Sequence, residues 1–262
     1  MDGTFIFTPE ERECVRGELV AAAEVDPRII AAAHLGSAAV GRLDRWSDID
    51  IALCLSSEAD FNQVLADWTN RLYCEHAAVT NYDIRRGNIL YRVFLLENTL
   101  QIDVSFWRPD EFRAIGDKFS LIFGVARESL PAPLSDSSEL IGMAWLYGLH
   151  VRSCIERRRF LQAEYMLSGM RDNALALACK RHGVAAVQGR GFDDLPEEIR
   201  NSAAACLPCS IEPAELIRAF RVTMAFLLNE IRFADADLGH RLAGVLEKIV
   251  GSAADADSRL HL

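Results

Sequence analysis

The sequence has no long apolar run. None of its apolar stretches approaches the ~20 residues of a membrane-spanning helix, and the N-terminal segment MDGTFIFTPEERE lacks the basic region and the apolar core of a signal peptide. We therefore expect a cytoplasmic protein with no membrane partner. With 262 residues, half of them apolar and a quarter charged, the chain is long enough for one large domain or two of ordinary size.

The chain also lacks an excess of basic residues, because its formal net charge is −10. Proteins that bind nucleic acids normally present a basic surface that neutralises phosphates. We therefore expect no nucleic-acid partner. The acidic balance is compatible with a cationic small-molecule ligand, although many soluble proteins are acidic for solubility alone.

Cysteine and glycine motifs that bind metals or dinucleotides are also missing. The seven cysteines are scattered, and only Cys206 and Cys209 have the spacing of a redox or zinc pair. Without a second pair or a preceding βαβ pattern, we expect neither a zinc site nor a thioredoxin-like role. The glycines at 189–191 are too sparse for a dinucleotide-binding loop, and no internal repeat is evident.

What the sequence does contain is one dense motif at residues 34–55, HLGSAAVGRLDRWSDIDIALCL. Asp48 and Asp50 are two residues apart in a predicted strand, so both side chains project from one face of a sheet. Two carboxylates about 4 Å apart repel each other by roughly 1 kcal/mol in water and by about 4 kcal/mol at an effective dielectric constant near 20. A divalent cation removes this cost, and Mg²⁺ is typically held by one or two carboxylates with waters and substrate phosphates. The pair therefore predicts a metal–nucleotide site.

Gly36 and Ser37 precede the two acids and are placed to meet the phosphates. Alone, Asp-x-Asp is usually a solvated strand face and Gly-Ser an ordinary turn; together, ten residues apart and between apolar runs, they are more specific. The pattern resembles the signature of the DNA polymerase beta-type nucleotidyltransferase superfamily. That resemblance implies a nucleotide bound at the Gly-Ser turn and a metal, Mg²⁺, on the acids.

A third acid, Asp103, interrupts an apolar run and shares a strand face with Gln101 and Ser105. Neighbouring strands lie only about 4.8 Å apart. If this strand pairs beside the strand of Asp48, Asp103 completes a three-carboxylate cluster; otherwise it is a solvated acid on an edge strand. In the superfamily that the motif resembles, a third acid on a later strand belongs to the active site, either as a general base or as a metal ligand, and Asp103 fits that position.

The sequence offers three candidate anchors for the triphosphate. Many members of the superfamily place an arginine directly after the Gly-Ser pair, whereas this chain has Ala38. Arg42, Arg45 or, from the helical part of the chain, Arg171 are the candidates to bind the nucleotide in its place. Each of them is also compatible with an ordinary surface or salt-bridged arginine.

The pattern of apolar residues predicts an α+β fold with two domains. An N-terminal nucleotidyltransferase domain, residues 1–133, has a mixed β-sheet with flanking helices, and a C-terminal α-helical bundle occupies residues 134–262. A Pro- and Ser-rich linker is predicted at residues 130–138. In the first domain we expect a helix from Thr8, strands at 28–35 and 48–55, a helix at 61–76, three further strands up to residue 107 and a short helix beginning near Arg108.

This layout is similar to that of the small antibiotic nucleotidyltransferases, particularly the lincosamide and aminoglycoside adenylyltransferases. The similarity implies Mg²⁺-dependent transfer of a nucleoside monophosphate, with AMP from ATP as the first expectation, onto a hydroxyl of a small molecule with release of pyrophosphate. The implied partners are a nucleoside triphosphate and a small hydroxylated acceptor, which the acidic balance allows to be cationic. We expect the acceptor between the sheet and the bundle and the protein to be a monomer or a homodimer.

Two other functions are compatible with parts of the pattern. The chain could be a nucleotidyltransferase-like antitoxin or regulatory module that binds a protein through its helical half; such a module would copurify with a partner and turn over no nucleotide. It could also be a polymerase or a tRNA nucleotidyltransferase, but the acidic balance and the absence of a basic tract argue against this.

Overall fold

The structure, a computed structural model, describes residues 6–130 and 136–258, apart from the side chains at 115 and 254–258. The chain divides into two compact units, residues 1–133 and 134–262. Residues 131–135 of the predicted linker lie outside the described residues, and so does the predicted boundary between 133 and 134. The predicted α+β fold class is confirmed, since the first unit is built on a mixed sheet and the second on helices.

The first unit contains a six-stranded sheet with the strand order β3-β4-β5-β2-β1-β7. β2 and β5 are parallel, and the other neighbouring pairs in this sheet are antiparallel. β6 and β8 form a separate parallel pair. The strands are β1 (Ile29–Leu35), β2 (Ile49–Leu55), β3 (Ala78–Arg86), β4 (Ile89–Leu96), β5 (Gln101–Trp107), β6 (Arg113–Ile115), β7 (Phe119–Phe123) and β8 (Arg127–Leu130).

Two helices, α1 (Pro9–Val25) and α3 (Phe61–Glu75), cover one face of this sheet. Thr8 and Glu11 form a capping box that starts α1, and the Asp60 carboxylate caps α3 by accepting from two backbone N–H groups. The predicted alternation in β2 is confirmed, because Ile49 and Ile51 are buried against these helices. The apolar residues that the two helices contribute include Leu19, Ala23, Val64, Trp68 and Leu72.

The opposite face of the sheet changes from acidic to apolar along the strands. At one end, Trp107 and Phe112 pack edge to face with ring centroids 6.0 Å apart. The prediction of a short helix near Arg108 is wrong, because the chain forms a turn there and continues into β6. The reason is Phe112, which is fully buried and which the turn directs into this apolar cluster.

A single helical turn, α2 (Gly36–Ala39), stands where the Gly-Ser turn is predicted. It connects β1 to a loop that leads to β2, and Gly36 enters it with a φ of +60°. This left-handed conformation is one that glycine adopts at little cost.

The second unit is a helical bundle with its own apolar core. Among the described residues, no helix combines the length and the apolar character needed to cross a bilayer. The helices are α4 (Ser137–Glu156), α5 (Phe160–His182), α6 (Glu197–Ala205), α7 (Pro213–Ala234) and α8 (Ala236–Ser258).

Candidate active site

Three aspartates converge on the acidic end of the sheet. Asp50 of β2 and Asp103 of β5 are directly opposite each other in the parallel pair, and Asp48 immediately precedes β2. One carboxylate oxygen from each side chain lies within 4.8 Å of the others, and all three residues are half-buried. The parallel pairing therefore brings together two acidic positions that lie far apart in the sequence.

The oxygen atoms of these carboxylates are suitable ligands for a hard divalent cation such as Mg²⁺. Three half-buried carboxylates this close repel one another when all are ionised. A bound divalent cation would relieve the repulsion, so Asp48, Asp50 and Asp103 fit a metal site by donor type and by spacing.

Gly36 lies against the carboxylate of Asp50. A Cβ atom added at this glycine would stand 3.1 Å from Asp50 Cγ and would overlap Oδ2 of the same carboxylate. The contact provides a structural requirement for glycine that is independent of any phosphate. Ser37 follows directly in α2, so the Gly-Ser bend and the acid cluster are adjacent.

Gln101 connects two of the acids. Its side-chain Nε2 donates a hydrogen bond to Asp103 Oδ1 at 2.9 Å and a longer one to Asp48 Oδ2 at 3.4 Å. The sequence indicates that Gln101 and Asp103 share a strand face, but not that one amide reaches both carboxylates. This amide is thus a residue of the site that sequence reasoning did not identify.

The environment of the acid cluster raises the pKa of Asp103. Burial raises its pKa, the hydrogen bond from Gln101 lowers it, and the nearby Asp48 charge raises it, so the pKa is about 6. A carboxylate with such a pKa is ionised at neutral pH and accepts a proton more readily than an exposed aspartate.

The raised pKa of Asp103 predicts a pH-dependent stability difference in the metal-free protein. The folded state binds this proton with a pKa of about 6, and the unfolded chain with a pKa near 4. Ionised Asp103 therefore penalises the folded state above about pH 6, and protonated Asp103 removes the penalty near pH 4. Asp103→Asn should raise the free energy of unfolding by about 1–2 kcal/mol at pH 8, after allowance for solvent screening, and by little at pH 4.

Urea denaturation in the presence of a chelator at the two pH values measures this difference. Asp44→Asn provides a control of opposite sign. Hydrogen bonds from the Trp46 backbone N–H and the Ser47 hydroxyl lower the pKa of Asp44, so this variant should be destabilised at pH 8. An equal gain for Asp103→Asn at both pH values would contradict the assignment of its pKa.

The loop at residues 40–48, which leads to Asp48, is held by a local turn. The Asp44 carboxylate accepts from Trp46 N–H at 2.8 Å and from the Ser47 hydroxyl at 3.0 Å, and Ser47 Oγ accepts from Asp44 N–H at 2.9 Å. These reciprocal bonds are typical of an Asx turn. They define the backbone path directly before Asp48.

Arg12 of α1 holds this loop in place through hydrogen bonds. Its side chain is only 4% exposed, and its Nη1 donates to the carbonyl oxygens of Asp44 and, at 3.2 Å, of Ser47. The guanidinium also pairs with Glu13 at 3.1 Å. Sequence reasoning did not single out Arg12, because an arginine in the first turns of an amphipathic helix normally faces solvent.

We expect Arg12→Gln to loosen the loop that carries Asp48. Removing the guanidinium takes a charged donor away from the partly buried hydrogen bonds to the Asp44 and Ser47 carbonyl oxygens, which costs about 1–3 kcal/mol of unfolding free energy. In thermal melts, Arg12→Gln should also need a higher Mg²⁺ concentration than wild type to reach half of the rise in melting temperature that Mg²⁺ produces. Arg12→Lys should restore part of the metal response, because it retains a charged donor.

Arg16→Gln is the matched control for Arg12→Gln. Arg16 lies one turn further along α1, and in the described part of the chain its guanidinium pairs with Glu13 rather than with the 40–48 loop. Its replacement should leave the Mg²⁺ response unchanged. Equal metal responses of wild type and Arg12→Gln would show that Arg12 does not position Asp48.

The three arginines predicted to bind the nucleotide occupy different environments. Arg42 and Arg45 are exposed in the 40–48 loop, and the guanidinium of Arg45 lies 5.3 Å from the centre of the Trp46 ring. Arg171 belongs to α5 in the second unit, where its side chain is 13% exposed. Its Nη2 donates to Ser168 Oγ at 2.7 Å, and its Nη1 is buried without a hydrogen-bond partner. Phosphate binding by any of them stays a prediction.

Neither the protein-family models nor the curated proteins yield a match to this chain. Among solved structures, the chain is similar to an aminoglycoside 6-adenyltransferase from Bacillus subtilis. The TM-score is 0.38 and the sequence identity 13%, over 95% of this chain and 99% of that chain. Since this superposition is loose, a functional assignment depends on the geometry of the three carboxylates.

Proposed function

We propose that this protein is a Mg²⁺-dependent nucleotidyltransferase that moves a nucleoside monophosphate, AMP from ATP in the first instance, onto a hydroxyl of a small molecule. Aminoglycosides and lincosamides are the first acceptors to test. The observation that supports the proposal is the convergence of Asp48, Asp50 and Asp103 beside the Gly36–Ser37 bend. In this proposal the first unit is the catalytic domain and the second a helical-bundle domain.

Asp48 and Asp50 would hold the metal, with Asp103 beside them as the general base. When bound, Mg²⁺ supplies neutralisation of the charge that develops on the phosphoryl oxygens and on the leaving pyrophosphate. The backbone N–H groups around Gly36 and the Ser37 hydroxyl bind the terminal phosphates, since backbone donors in such a bend suit phosphate oxygens.

Asp103 accepts the proton of the acceptor hydroxyl. The hydroxyl oxygen forms a bond to the α-phosphorus, the bond from this phosphorus to the bridging oxygen breaks, and its electron pair leaves with pyrophosphate. A positioned general base contributes ~10²–10⁴-fold to such a rate. Gln101 orients the carboxylate that accepts the proton, because its Nε2 donates to Asp103 Oδ1 at 2.9 Å.

Pyrophosphate release tests the proposal directly. The purified chain is incubated with each nucleoside triphosphate, with and without Mg²⁺, against aminoglycosides, lincosamides and other hydroxylated amines. We expect release that requires both Mg²⁺ and an acceptor, together with an acceptor whose mass has increased by a nucleoside monophosphate. Absence of Mg²⁺-dependent nucleotide binding in calorimetry, with a copurifying protein partner, would instead favour a regulatory module.

A further inference from the structure

The acid cluster continues across the sheet as a row of facing residues. Asp50 pairs with Asp103, Asp103 with Val93 of β4, and Val93 with Tyr82 of β3. Because neighbouring strands are about 4.8 Å apart, the backbone of Tyr82 is roughly 10 Å from that of Asp103. Gly36 touches Asp50 from the β1 side, at the opposite end of the row.

This order separates the two substrates of the proposed reaction. Phosphates bound at the Gly36–Ser37 bend lie on the β1 side of the metal ligands. The acceptor hydroxyl must approach Asp103 from a side that the nucleotide leaves open, and β4 and β3 continue the sheet there. The row therefore places an acceptor over Val93 and Tyr82.

The side chains of β3 and β4 alternate between the two faces of the sheet. Asn81 and Arg92 face α3, because Arg92 Nη1 donates to Thr69 Oγ1 at 2.6 Å and the hydroxyl of Tyr73 donates to Asn81 Oδ1 at 3.1 Å. Their neighbours Tyr82 and Val93 therefore face the same side as Asp103. We define the β3–β4 face as Tyr82, Ile84, Val93 and Leu95.

Three members of the β3–β4 face are unusually open for apolar side chains. Tyr82 is 70% exposed, Leu95 45% and Ile84 39%. Contiguous exposed apolar residues next to a polar centre are typical of ligand-binding surfaces, which are mostly apolar with a few placed polar groups. Here the placed polar groups are the acid cluster and the Tyr82 hydroxyl.

The charges on this side of the two strands argue against a polycationic ligand. Strands 78–86 and 89–96 are described throughout, and neither directs a carboxylate to this side. Asp83 faces the other way, where Arg92 Nε donates to it at 2.6 Å. The charged side chain that these strands do contribute is a cation, Arg86, whose guanidinium lies 5.8 Å from the centre of the Tyr91 ring.

We propose that the β3–β4 face binds the acceptor, and that this acceptor is a hydroxylated ring with a sizeable apolar face and no more than a single positive charge. This inference rests on the proposed nucleotidyltransferase function. The C–H face of the ring stacks on Tyr82 and contacts Val93 and Leu95, which directs a hydroxyl toward Asp103. A molecule with several ammonium groups finds no matching carboxylates on these strands.

Two probes distinguish these chemistries: lincomycin, which combines a sugar ring and alkyl groups with a single basic amine, and kanamycin, which carries several amines. With wild type, lincomycin should give the larger kcat/KM for pyrophosphate release. Tyr82→Ala should raise the KM for lincomycin by about tenfold or more and leave the KM for the nucleotide unchanged, and Tyr82→Phe should retain most of the affinity. Leu95→Ser should act in the same direction as Tyr82→Ala.

Leu161→Ser, an exposed leucine of α5, is the matched control and should leave both KM values unchanged. Preference for kanamycin, or an unchanged lincomycin KM in Tyr82→Ala, would overturn the inference. A difference in molecular mass between Tyr82→Ala and wild type in light scattering, with an unchanged lincomycin KM, would also overturn it, because the β3–β4 face would then join copies of the chain. If neither probe supports turnover, lincomycin must still bind, by calorimetry, to the complex with Mg²⁺ and a non-hydrolysable nucleotide; no binding also overturns it.

The two proposals fail in different ways. If the proposed function is wrong, the wild-type protein should not bind the nucleotide analogue in a Mg²⁺-dependent way. If only the acceptor inference is wrong, the wild-type protein should still bind the analogue, and only the measurements with lincomycin and kanamycin should depart from the expected results.

Discussion

Asp50→Asn should reduce pyrophosphate release at least about a thousandfold while the protein remains folded. Asp50 lies between Gly36 on one side and Asp103 on the other, so its carboxylate is the centre of the proposed metal site. Asparagine preserves the size of the side chain and removes its charge. The loss should therefore reflect metal and phosphate binding rather than a packing defect, and circular dichroism should show an unchanged helix content.

The matched control removes a charge from the other face of the same sheet. Asp83 pairs with Arg92, and Asp83→Asn should retain near wild-type turnover, because a partly exposed ion pair contributes at most about 1 kcal/mol to stability. Calorimetry should show that Asp50→Asn, and not Asp83→Asn, has lost Mg²⁺-dependent nucleotide binding. Turnover by Asp50→Asn close to that of wild type would remove the basis of the catalytic proposal.

Gly36→Ala should have the second-largest effect. The added Cβ would overlap Asp50 Oδ2 and stand 3.1 Å from Cγ, so the carboxylate must leave its position. Alanine is also strained at the φ of +60° that Gly36 adopts. We expect turnover to fall by about a hundredfold or more, since displacement of about 1 Å at a reacting centre has that cost.

Gly41→Ala separates the effect of backbone strain from the effect of the contact with Asp50. Gly41 has nearly the same φ, +65°, but a Cβ there would have no atom within 4 Å. Its replacement should cost about 1–2 kcal/mol of stability from backbone strain and leave the Mg²⁺ affinity of the site unchanged. If Gly36→Ala and Gly41→Ala lost turnover equally, strain alone would explain the loss, and the contact with Asp50 would have no functional role.

The central strands of this fold can be predicted from the sequence because they are short apolar runs that polar residues interrupt in alternation at the acidic end. Ile49 and Ile51 face an apolar layer while Asp48 and Asp50 do not, and a second apolar run broken by a single acid identifies Asp103. The strands β4 and β5 are among the three further strands expected up to residue 107. These features depend on local periodicity, which a sequence displays directly.

Other features depend on contacts between distant segments, and the sequence does not display them. Arg12 reaches the 40–48 loop only because the fold places α1 next to this loop. Gln101 bridges Asp48 and Asp103 only because β2 and β5 are neighbouring parallel strands. The pattern near Arg108 has the capping residues of a helix, but burial of Phe112 overrides this local preference. The need for glycine at position 36 is likewise a tertiary contact, with Asp50, that a Gly-Ser dipeptide cannot reveal.

The parallel pairing of β2 with β5 also affects when the site forms during folding. A parallel partner cannot be reached by a tight turn, so the chain must first pass through α3, β3 and β4. A nascent chain that ends before β5 contains Asp48 and Asp50 but not Asp103, so the three-carboxylate cluster arises only with the native sheet. A divalent cation that bound this cluster would bind the native state alone and would stabilise it by mass action.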